Sequence, residues 1–227
     1  MRCLEAWITG LLLETNRKGG AARCLGADGA KGCVILKRMR TDQHQEIEIK
    51  LRVVDEEAIR ASLVGLGFIE IVPRGLEQNR IYDTAEGELR ARGELIRLRE
   101  FNGKNVLTYK GRATVGKHKE REEIEVVVGA TEAMATILGR LGLEPQFRYE
   151  KYRSEWQRPG GEGIVMVDET PIGTFVELEG TGDWIDRTAV ELGYTEGDYL
   201  NLSYARLFTA RCLAEGRAAG NMLFDAV

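Results

Sequence analysis

The chain has 227 residues, of which 43% are hydrophobic and 30% are charged. That length predicts a single domain with one sizeable core. The net charge of −4 argues against a dedicated DNA-binding protein, which would usually be basic overall, so no nucleic-acid partner is expected. No apolar run approaches the roughly 20 residues of a membrane helix, so no membrane partner is expected either.

The first 38 residues differ in composition from the rest of the chain. The stretch RKGGAARCLGADGAKG is rich in glycine and alanine and has no apolar periodicity, which favours disorder. We predict a disordered or non-native extension at residues 1–38, a folded domain at 39–212 and a tail at 213–227. Three of the four cysteines fall in the extension without metal-site spacing, which favours a reduced, cytoplasmic setting.

The first predicted strand begins at Glu46, where apolar and charged residues alternate strictly in EIEIKLRV. A helix follows in VDEEAIRASLVGLGF, with Asp55 as its N-cap and glycines at its end. Three more strands are predicted in NRIYDTA, ELIRLREF and NVLTYKG. A turn at residues 101–105 joins the last two of these strands as a hairpin.

The same order of elements recurs in the second half of the chain. EREEIEVVV predicts a strand, TEAMATILGRLGL a helix, and RYEKYRSEWQR, GIVMVDET and TFVELEG three strands. Two helices, in DWIDRTAVELG and DYLNLSYARLFTARCLA, close the chain. The pattern predicts an α+β fold of two β-α-β-β-β halves. Its eight strands can close as an antiparallel β-barrel without exposed edges, with the helices packed outside.

Every predicted strand has one charged face and one apolar face, which allows two arrangements. In the first, the charges face water and the apolar side chains fill the barrel, as is common for any single strand of this type. In the second, the charges line a tunnel and the apolar faces lie under the helices, which need an apolar surface to pack on. Like charges recur in same-face pairs, as Glu-x-Glu three times and Arg-x-Arg once, and we therefore favour the tunnel.

Charges that point into a tunnel must be compensated, because burying unpaired ions is costly. Carboxylates two residues apart on a strand repel each other unless a hard divalent cation, Mg²⁺ or Mn²⁺, binds between them. Arg and Lys side chains in the same cavity favour a polyanion such as a phosphate chain. Metal-binding carboxylates together with phosphate-binding cations are typical of phosphoryl or nucleotidyl transfer.

This ordered series of motifs resembles the CYTH family, the triphosphate tunnel metalloenzymes. The family signature Glu-x-Glu-x-Lys is present as Glu46-Ile-Glu48-Ile-Lys50. The likeness continues in family order through YDT, IRLRE, LTYKG, REEIE, KYRSEW, VDE and GTFVELE, over roughly residues 44–205. The resemblance implies an eight-stranded antiparallel tunnel, and it implies two bound Mg²⁺ or Mn²⁺ ions.

The resemblance also implies roles for individual residues. It implies that the metal is held by four glutamates and assisted by one aspartate: Glu46, Glu48, Glu177, Glu179 and Asp168. It implies that catalysis depends on the four glutamates together with Lys50. It implies that the substrate's phosphates contact six cations: Lys50, Arg97, Arg99, Lys110, Arg121 and Arg153. Lys117 and Lys119 fall in a predicted loop, where solvated side chains are the simpler interpretation and a phosphate clamp is the alternative.

Three functions are compatible with this pattern. The motifs look most like those of class IV adenylate cyclases, which convert ATP to cyclic AMP and pyrophosphate. The first alternative is a triphosphatase that hydrolyses inorganic triphosphate or thiamine triphosphate. The second is a polyphosphate-binding module without catalysis, although the retained glutamates argue against it. Family members are often dimers, so a homodimer is within expectation.

Overall fold

The computed structural model describes residues 45–225, and its strands form one antiparallel sheet. The strands are β1 Gln45–Val53, β2 Ile69–Asp83, β3 Leu95–Phe101, β4 Lys104–Lys110, β5 Thr114–Val115, β6 Lys119–Val128, β7 Glu144–Gln157, β8 Ile164–Thr170 and β9 Gly173–Glu179. The helices are α1 Glu56–Gly65, α2 Glu88–Arg92, α3 Thr131–Arg140, α4 Gly182–Glu191 and α5 Tyr204–Ala214, and a single 3₁₀ turn spans Glu196–Asp198. The predicted extension at residues 1–38 lies outside the described residues.

The sheet closes on itself as an eight-stranded barrel. Its strands follow the order β1-β9-β8-β7-β2-β3-β4-β6, and β6 pairs back with β1. The two-residue strand β5 adds to β6 beside the barrel. This confirms the predicted antiparallel barrel, and all eight of its strands coincide with predicted ones. A closed sheet leaves few unpaired backbone groups along its length.

The chain builds this barrel from two similar halves, as predicted. The first half is β1-α1-β2-β3-β4, and the second is β6-α3-β7-β8-β9. The sequence did not predict the short helix α2, whose first turn is capped by the carboxylate of Asp83, which accepts hydrogen bonds from the backbone N–H groups of Leu89 and Arg90. It also missed the first ten residues of β2, where Pro73 and Gly75 interrupt the alternation and the register shifts.

Apolar side chains of the strands face outward and lie under two helices. Six fully buried strand residues form this surface: Ile49, Leu51, Val165, Val167, Val176 and Leu178. Leu63 of α1 and Ile185 of α4 pack against them. The tunnel arrangement is therefore the correct one, because the covered faces are the apolar faces.

Helix α5 fills one end of the barrel. Its side chains Tyr204 and Phe208 pack with Tyr149 of β7 and Phe175 of β9, which share the inward-facing side of their strands. The chain then returns along β7, where fully buried Met222 exchanges backbone hydrogen bonds with residues 148 and 150. Within residues 45–225, no helix is both long and apolar enough to cross a membrane.

The outward packing predicts that substitutions at two neighbouring residues of α1 differ in their effect on the stability of the protein. Leu63 is fully buried, whereas the side chain of Val64 is 63% exposed. Leu63→Ala should lower the free energy of unfolding by about 2–5 kcal/mol, because it removes a buried side chain and leaves a cavity. Val64→Ala, the matched control, should change it by no more than about 0.5 kcal/mol. Urea unfolding of both variants measures this, and equal losses would contradict the packing.

Candidate active site in the barrel interior

The inward faces of the strands line a polar cavity of about 1680 Å³. Ten of the eleven predicted site residues contribute to its wall: Glu46, Glu48, Lys50, Arg97, Arg99, Lys110, Arg121, Arg153, Glu177 and Glu179. Most of these ten side chains are buried although all carry ionisable groups. The barrel therefore concentrates charges of both signs in one cavity, as the strand pattern predicted.

The register of β1 and β9 brings the four predicted metal-binding glutamates together. Glu48 lies directly opposite Glu179, and Lys50 lies opposite Glu177. Because side chains of directly paired residues point to the same face, the two Glu-x-Glu pairs share one region of the cavity. Glu46 extends this region along β1 and accepts hydrogen bonds from Lys110 at 2.8 Å.

Cations surround three of these four carboxylates. Glu48 forms ion pairs with Lys119 and, at 3.3 Å, with Lys50. Glu177 lies 3.2 Å from the ammonium group of Lys50 and 3.4 Å from Arg153. Burial alone would raise the pKa of Glu48, but the neighbouring lysines outweigh it and hold that pKa well below the ordinary value. Glu48 is therefore ionised, and all three carboxylates already have cationic partners.

Glu179 differs from the other three, because within residues 45–225 it forms no ion pair. Burial, together with the negative charges of Glu46, Glu177 and Glu123, raises its pKa to about 8. Glu179 thus lies among other carboxylates without a cationic partner of its own in this part of the chain. A crowded carboxylate cluster of this kind is stabilised by a divalent cation.

The donor set fits a hard divalent cation in chemistry and in charge. All four side chains offer carboxylate oxygens, the ligands that Mg²⁺ and Mn²⁺ prefer. As the side chains stand, no group of three or more His, Cys, Asp or Glu residues in the described part of the chain is spaced to hold a metal ion. Binding would require Glu46, Glu48 and Glu177 to exchange their lysine and arginine partners for the metal.

A second wall of the cavity is cationic. Arg97 of β3 is 8% exposed, and its Nε atom has no hydrogen-bond partner in the described structure. Its guanidinium lies 3.6 Å from Glu123 and 3.4 Å from Glu125, which are long contacts for ion pairs. Lys50, on β1 beside the glutamates, stays charged, because Glu177 and Glu48 raise its pKa more than burial lowers it. Arg97 and Lys50 are thus cations on two sides of the cavity that an incoming anion could engage.

The expectation of a solvated loop at Lys119 was wrong. Lys119 begins strand β6, its residue is 6% exposed, and it pairs with Glu48. It occupies the same face as Arg121 and Glu123, two and four residues later, so extending that alternation backwards would have found it. Burial, with Lys50 and Arg121, lowers the pKa of Lys119 to about 8. Lys117 does lie in the loop, with its side chain 41% exposed and paired with Asp186.

Asp168 does not join the glutamates. It is fully buried on the inward face of β8, opposite Arg153, and its two oxygens accept hydrogen bonds from Arg153 at 2.6 Å and from Lys151 at 2.9 Å. Burial alone would raise the pKa of Asp168, but these two cations hold it well below its usual range. In this structure Asp168 orients cations, one of which, Arg153, also pairs with Glu177. Its predicted role beside the metal stays a prediction.

Glu77 is a buried carboxylate that the sequence did not reveal. It is fully buried on β2 and lies 3.3 Å from the ammonium group of Lys151 and 3.8 Å from Arg153. Burial would raise its pKa, but Lys151 and Arg153 outweigh that effect and bring it to about 2. Glu77 precedes the segment predicted as a strand, and the irregular start of β2 hid its inward orientation.

Comparison with known proteins identifies the family. The model of the CYTH domain matches residues 44–192. This chain belongs to the CYTH family. The match begins at the strand that carries Glu46 and Glu48 and includes Glu177 and Glu179 of β9, so it spans the whole candidate site.

Two solved structures and one further relative illustrate this membership. A Methanocaldococcus jannaschii protein named "Putative adenylate cyclase" is 29% identical over 134 residues, which cover 59% of this chain and 75% of that protein. The structure of a Vibrio parahaemolyticus protein of the same description has a TM-score of 0.65 at 20% identity, covering 72% of this chain and 97% of that one. The Hippeastrum protein HpAC1, described as a "putative adenylyl cyclase" with "a dominant" triphosphatase activity, has a TM-score of 0.53 at 20% identity, covering 77% and 97%. The two structural matches establish the shared CYTH fold alone.

The charge network predicts a pH-dependent effect of Glu77→Gln. The folded-state pKa of about 2 lies below the ordinary 4.5, so ionised Glu77 stabilises the fold above pH 4.5, and this contribution is lost as the pH falls towards 2. At pH 7 the substitution should lower the free energy of unfolding by about 3 kcal/mol, at about 1.4 kcal/mol per pKa unit.

Urea unfolding between pH 7 and pH 3 measures the effect, and the difference between Glu77→Gln and wild type should shrink across that range. The exposed residue Glu70 on the same strand provides the control, and Glu70→Gln should have little effect at either pH. A difference that is the same at pH 7 and pH 3 would contradict the ionised, cation-bound state of Glu77.

Proposed function

We propose that this protein is a metal-dependent enzyme that acts on triphosphate compounds inside the barrel. One observation carries the proposal: four crowded glutamates, of which Glu179 has no cationic partner within residues 45–225, share a single cavity with buried cations. Phosphate binding alone needs the cations and has no use for the carboxylates. A site that holds both metal and phosphate oxygens needs both sets.

In this proposal Glu46, Glu48, Glu177 and Glu179 hold two Mg²⁺ or Mn²⁺ ions. Bound there, the metal supplies a Lewis acid that neutralises phosphate charge and favours deprotonation of the attacking hydroxyl or water. The protonated state of Glu179 near neutral pH, with its pKa of about 8, means that metal binding also displaces a proton.

The cations of the chain would bind and orient the phosphate chain. Six side chains serve this role in the proposal: Lys50, Arg97, Arg99, Lys110, Arg121 and Arg153. Guanidinium groups suit it because they donate two parallel hydrogen bonds to one phosphate. The substrate would replace the long contacts of Arg97 with Glu123 and Glu125 by short ones. The enclosing barrel also limits bulk water around the reacting phosphorus.

We infer conversion of ATP to cyclic AMP and pyrophosphate as the first candidate reaction. The ribose 3′-oxygen would form a bond to the α-phosphorus, the bond to the bridging oxygen of pyrophosphate would break, and the 3′-hydroxyl proton would leave to solvent or to a cavity base. Support comes from the motif series of Glu46 to Glu179 and from the cyclase names carried by the Methanocaldococcus and Vibrio relatives.

Triphosphate hydrolysis is the second candidate, and a specific observation favours it. Of the aromatic residues in the cavity wall, Tyr82, Tyr149 and Tyr204 are buried in apolar clusters and Phe147 is partly buried against one of them. The three buried rings offer little surface on which a nucleobase could stack. A cavity that contacts only the phosphates of its ligand would bind inorganic or thiamine triphosphate as well as ATP. In addition, the Hippeastrum relative is described as having a dominant triphosphatase activity.

One assay panel separates the candidates. ATP, inorganic triphosphate and thiamine triphosphate are each incubated with Mg²⁺ or Mn²⁺, and cyclic AMP and released phosphate are followed separately. Cyclic AMP with pyrophosphate selects the cyclase, and phosphate without cyclic AMP selects the hydrolase. Binding of these compounds without any product would leave a polyphosphate-binding module and reject the enzymatic proposal.

Removing one metal-binding carboxylate should nearly abolish turnover. Glu48→Gln and Glu179→Gln should each lower kcat by at least about 100-fold, because a neutral amide cannot balance the metal's charge, while circular dichroism shows an intact fold. Glu122→Gln, on the exposed face of β6, is the control and should keep wild-type kcat. Full activity in both site variants would overturn the metal assignment.

Removing a phosphate-binding cation should mainly weaken substrate binding. Arg97→Ala should raise KM for the triphosphate substrate about 10- to 100-fold, since hydrogen bonds to charged groups are worth roughly 1.5–3 kcal/mol. Arg148→Ala, at an exposed position of β7, should leave KM unchanged. Steady-state kinetics measures both variants, and an unaltered KM in Arg97→Ala would remove Arg97 from the proposed site.

A further inference from the structure

Helix α5 contributes one polar side chain to the interior of the barrel. Tyr204 is the first residue of α5 and is 5% exposed. The helix begins at this point because the side chain of Ser203 accepts a hydrogen bond from the backbone N–H of Arg206, a typical N-cap. This cap fixes Tyr204 in the first turn, where its ring borders the cavity.

The hydroxyl group of Tyr204 is one of the hydrogen-bond donors to the buried carboxylate of Asp168. It donates a hydrogen bond of 2.7 Å to Oδ2 of Asp168. That carboxylate also accepts two hydrogen bonds from Arg153 and one from Lys151. Asp168 is thus held by four donor atoms from three residues, and its position fixes the directions of the Arg153 and Lys151 side chains.

The ring of Tyr204 lies near two cations. The ammonium nitrogen of Lys50 lies 5.3 Å from the ring centroid, and that of Lys151 lies 5.2 Å from it. Both distances are within the range of cation–π attraction. Each lysine also pairs with a carboxylate, Lys50 with Glu177 at 3.2 Å and Lys151 with Asp168 at 2.9 Å. The ring therefore adds a second contact that holds each ammonium group in place beside the cavity.

The packing of α5 does not depend on the Tyr204 hydroxyl. Phe208 and Cys212, one and two turns later, are buried against Tyr149 and Met222. The ring of Tyr204 itself meets Phe175 edge-on, with centroids 5.5 Å apart. Substituting phenylalanine would therefore remove the hydroxyl and leave the apolar docking of the helix in place.

We propose that Tyr204 is a positioning residue for the phosphate-binding cations, so that α5 forms part of the substrate site. This inference rests on the proposed function, because it concerns how a triphosphate is held. The hydroxyl fixes Arg153 and Lys151 through Asp168, and the ring fixes Lys50 and Lys151 directly. The end of the phosphate chain that reaches this side of the cavity meets three cations held by one side chain.

Two substitutions divide the contribution of Tyr204 into its hydroxyl and its ring. Tyr204→Phe should raise KM, and the Kd for inorganic triphosphate, about tenfold, because one hydrogen bond in a charged network is worth roughly that factor. Its kcat should stay within about twofold of wild type, as expected when ground-state binding is lost. Tyr204→Leu removes the ring as well and should weaken binding further than Tyr204→Phe.

Phe208→Leu provides the matched control. Phe208 is buried on the same helix but forms none of the ion-pair or hydrogen-bond contacts of Lys50, Lys151 or Arg153 within the described structure. This variant should lower the Tm and leave KM and Kd near wild type. A loss of affinity in Phe208→Leu as large as that in Tyr204→Leu would overturn the inference, because docking of α5 would then explain both.

Isothermal titration with inorganic triphosphate, run beside the kinetics, separates the two proposals. If wild type binds or turns over triphosphate and both Tyr204 variants match it, the positioning role fails and the proposed function stands. If wild type neither binds nor converts any of the three triphosphate compounds, the proposed function fails and the positioning role fails with it. The inference is supported if the Kd for inorganic triphosphate rises from wild type to Tyr204→Phe and rises again in Tyr204→Leu.

Discussion

Compensation of buried charge is the constraint on which this structure depends. A closed barrel that turns its apolar faces outward must place its charged faces in an interior where an unpaired ion is costly. The strand register meets this constraint by setting acids against bases, as with Glu48 beside Lys50 and Lys119. The compensation is incomplete at Glu179, where carboxylates crowd together. Ligand binding is expected where a carboxylate lacks a cationic partner in this way.

The two halves of the barrel repeat a topology, but their Glu-x-Glu pairs meet different neighbours. Where the halves join, β1 of the first and β9 of the second place Glu-x-Glu pairs side by side. In the second half, β6 alternates Arg121 with Glu123 and Glu125, and these carboxylates pair with Lys110 and Arg99. The same strand pattern thus supplies a crowded acidic region in one place and a neutralised one in another, because the neighbours across the sheet differ.

Local alternation made much of this protein predictable. A period of two in EIEIKLRV and in the other charged strands fixes which side chains share a face, and a helix that must cover an apolar face fixes which face is inside. From these two facts the barrel and its charged interior could be predicted, together with ten residues of the cavity wall. Glu77 was not predicted as a site residue, because Pro73 and Gly75 disturb the alternation before it. Lys119 was not predicted because the start of β6 was assigned to a loop.

The sequence by itself determined the strands, their inward faces and the kinds of charge placed there, because each follows from residues close together in the chain. Only the tertiary structure decided which acid meets which base. It set Asp168 against Arg153, Lys151 and Tyr204, where Asp168 shares Arg153 with Glu177. It also brought α5 into the barrel end. Such pairings depend on the register across strands and on the path of the last helix, and both are fixed by closure of the whole sheet.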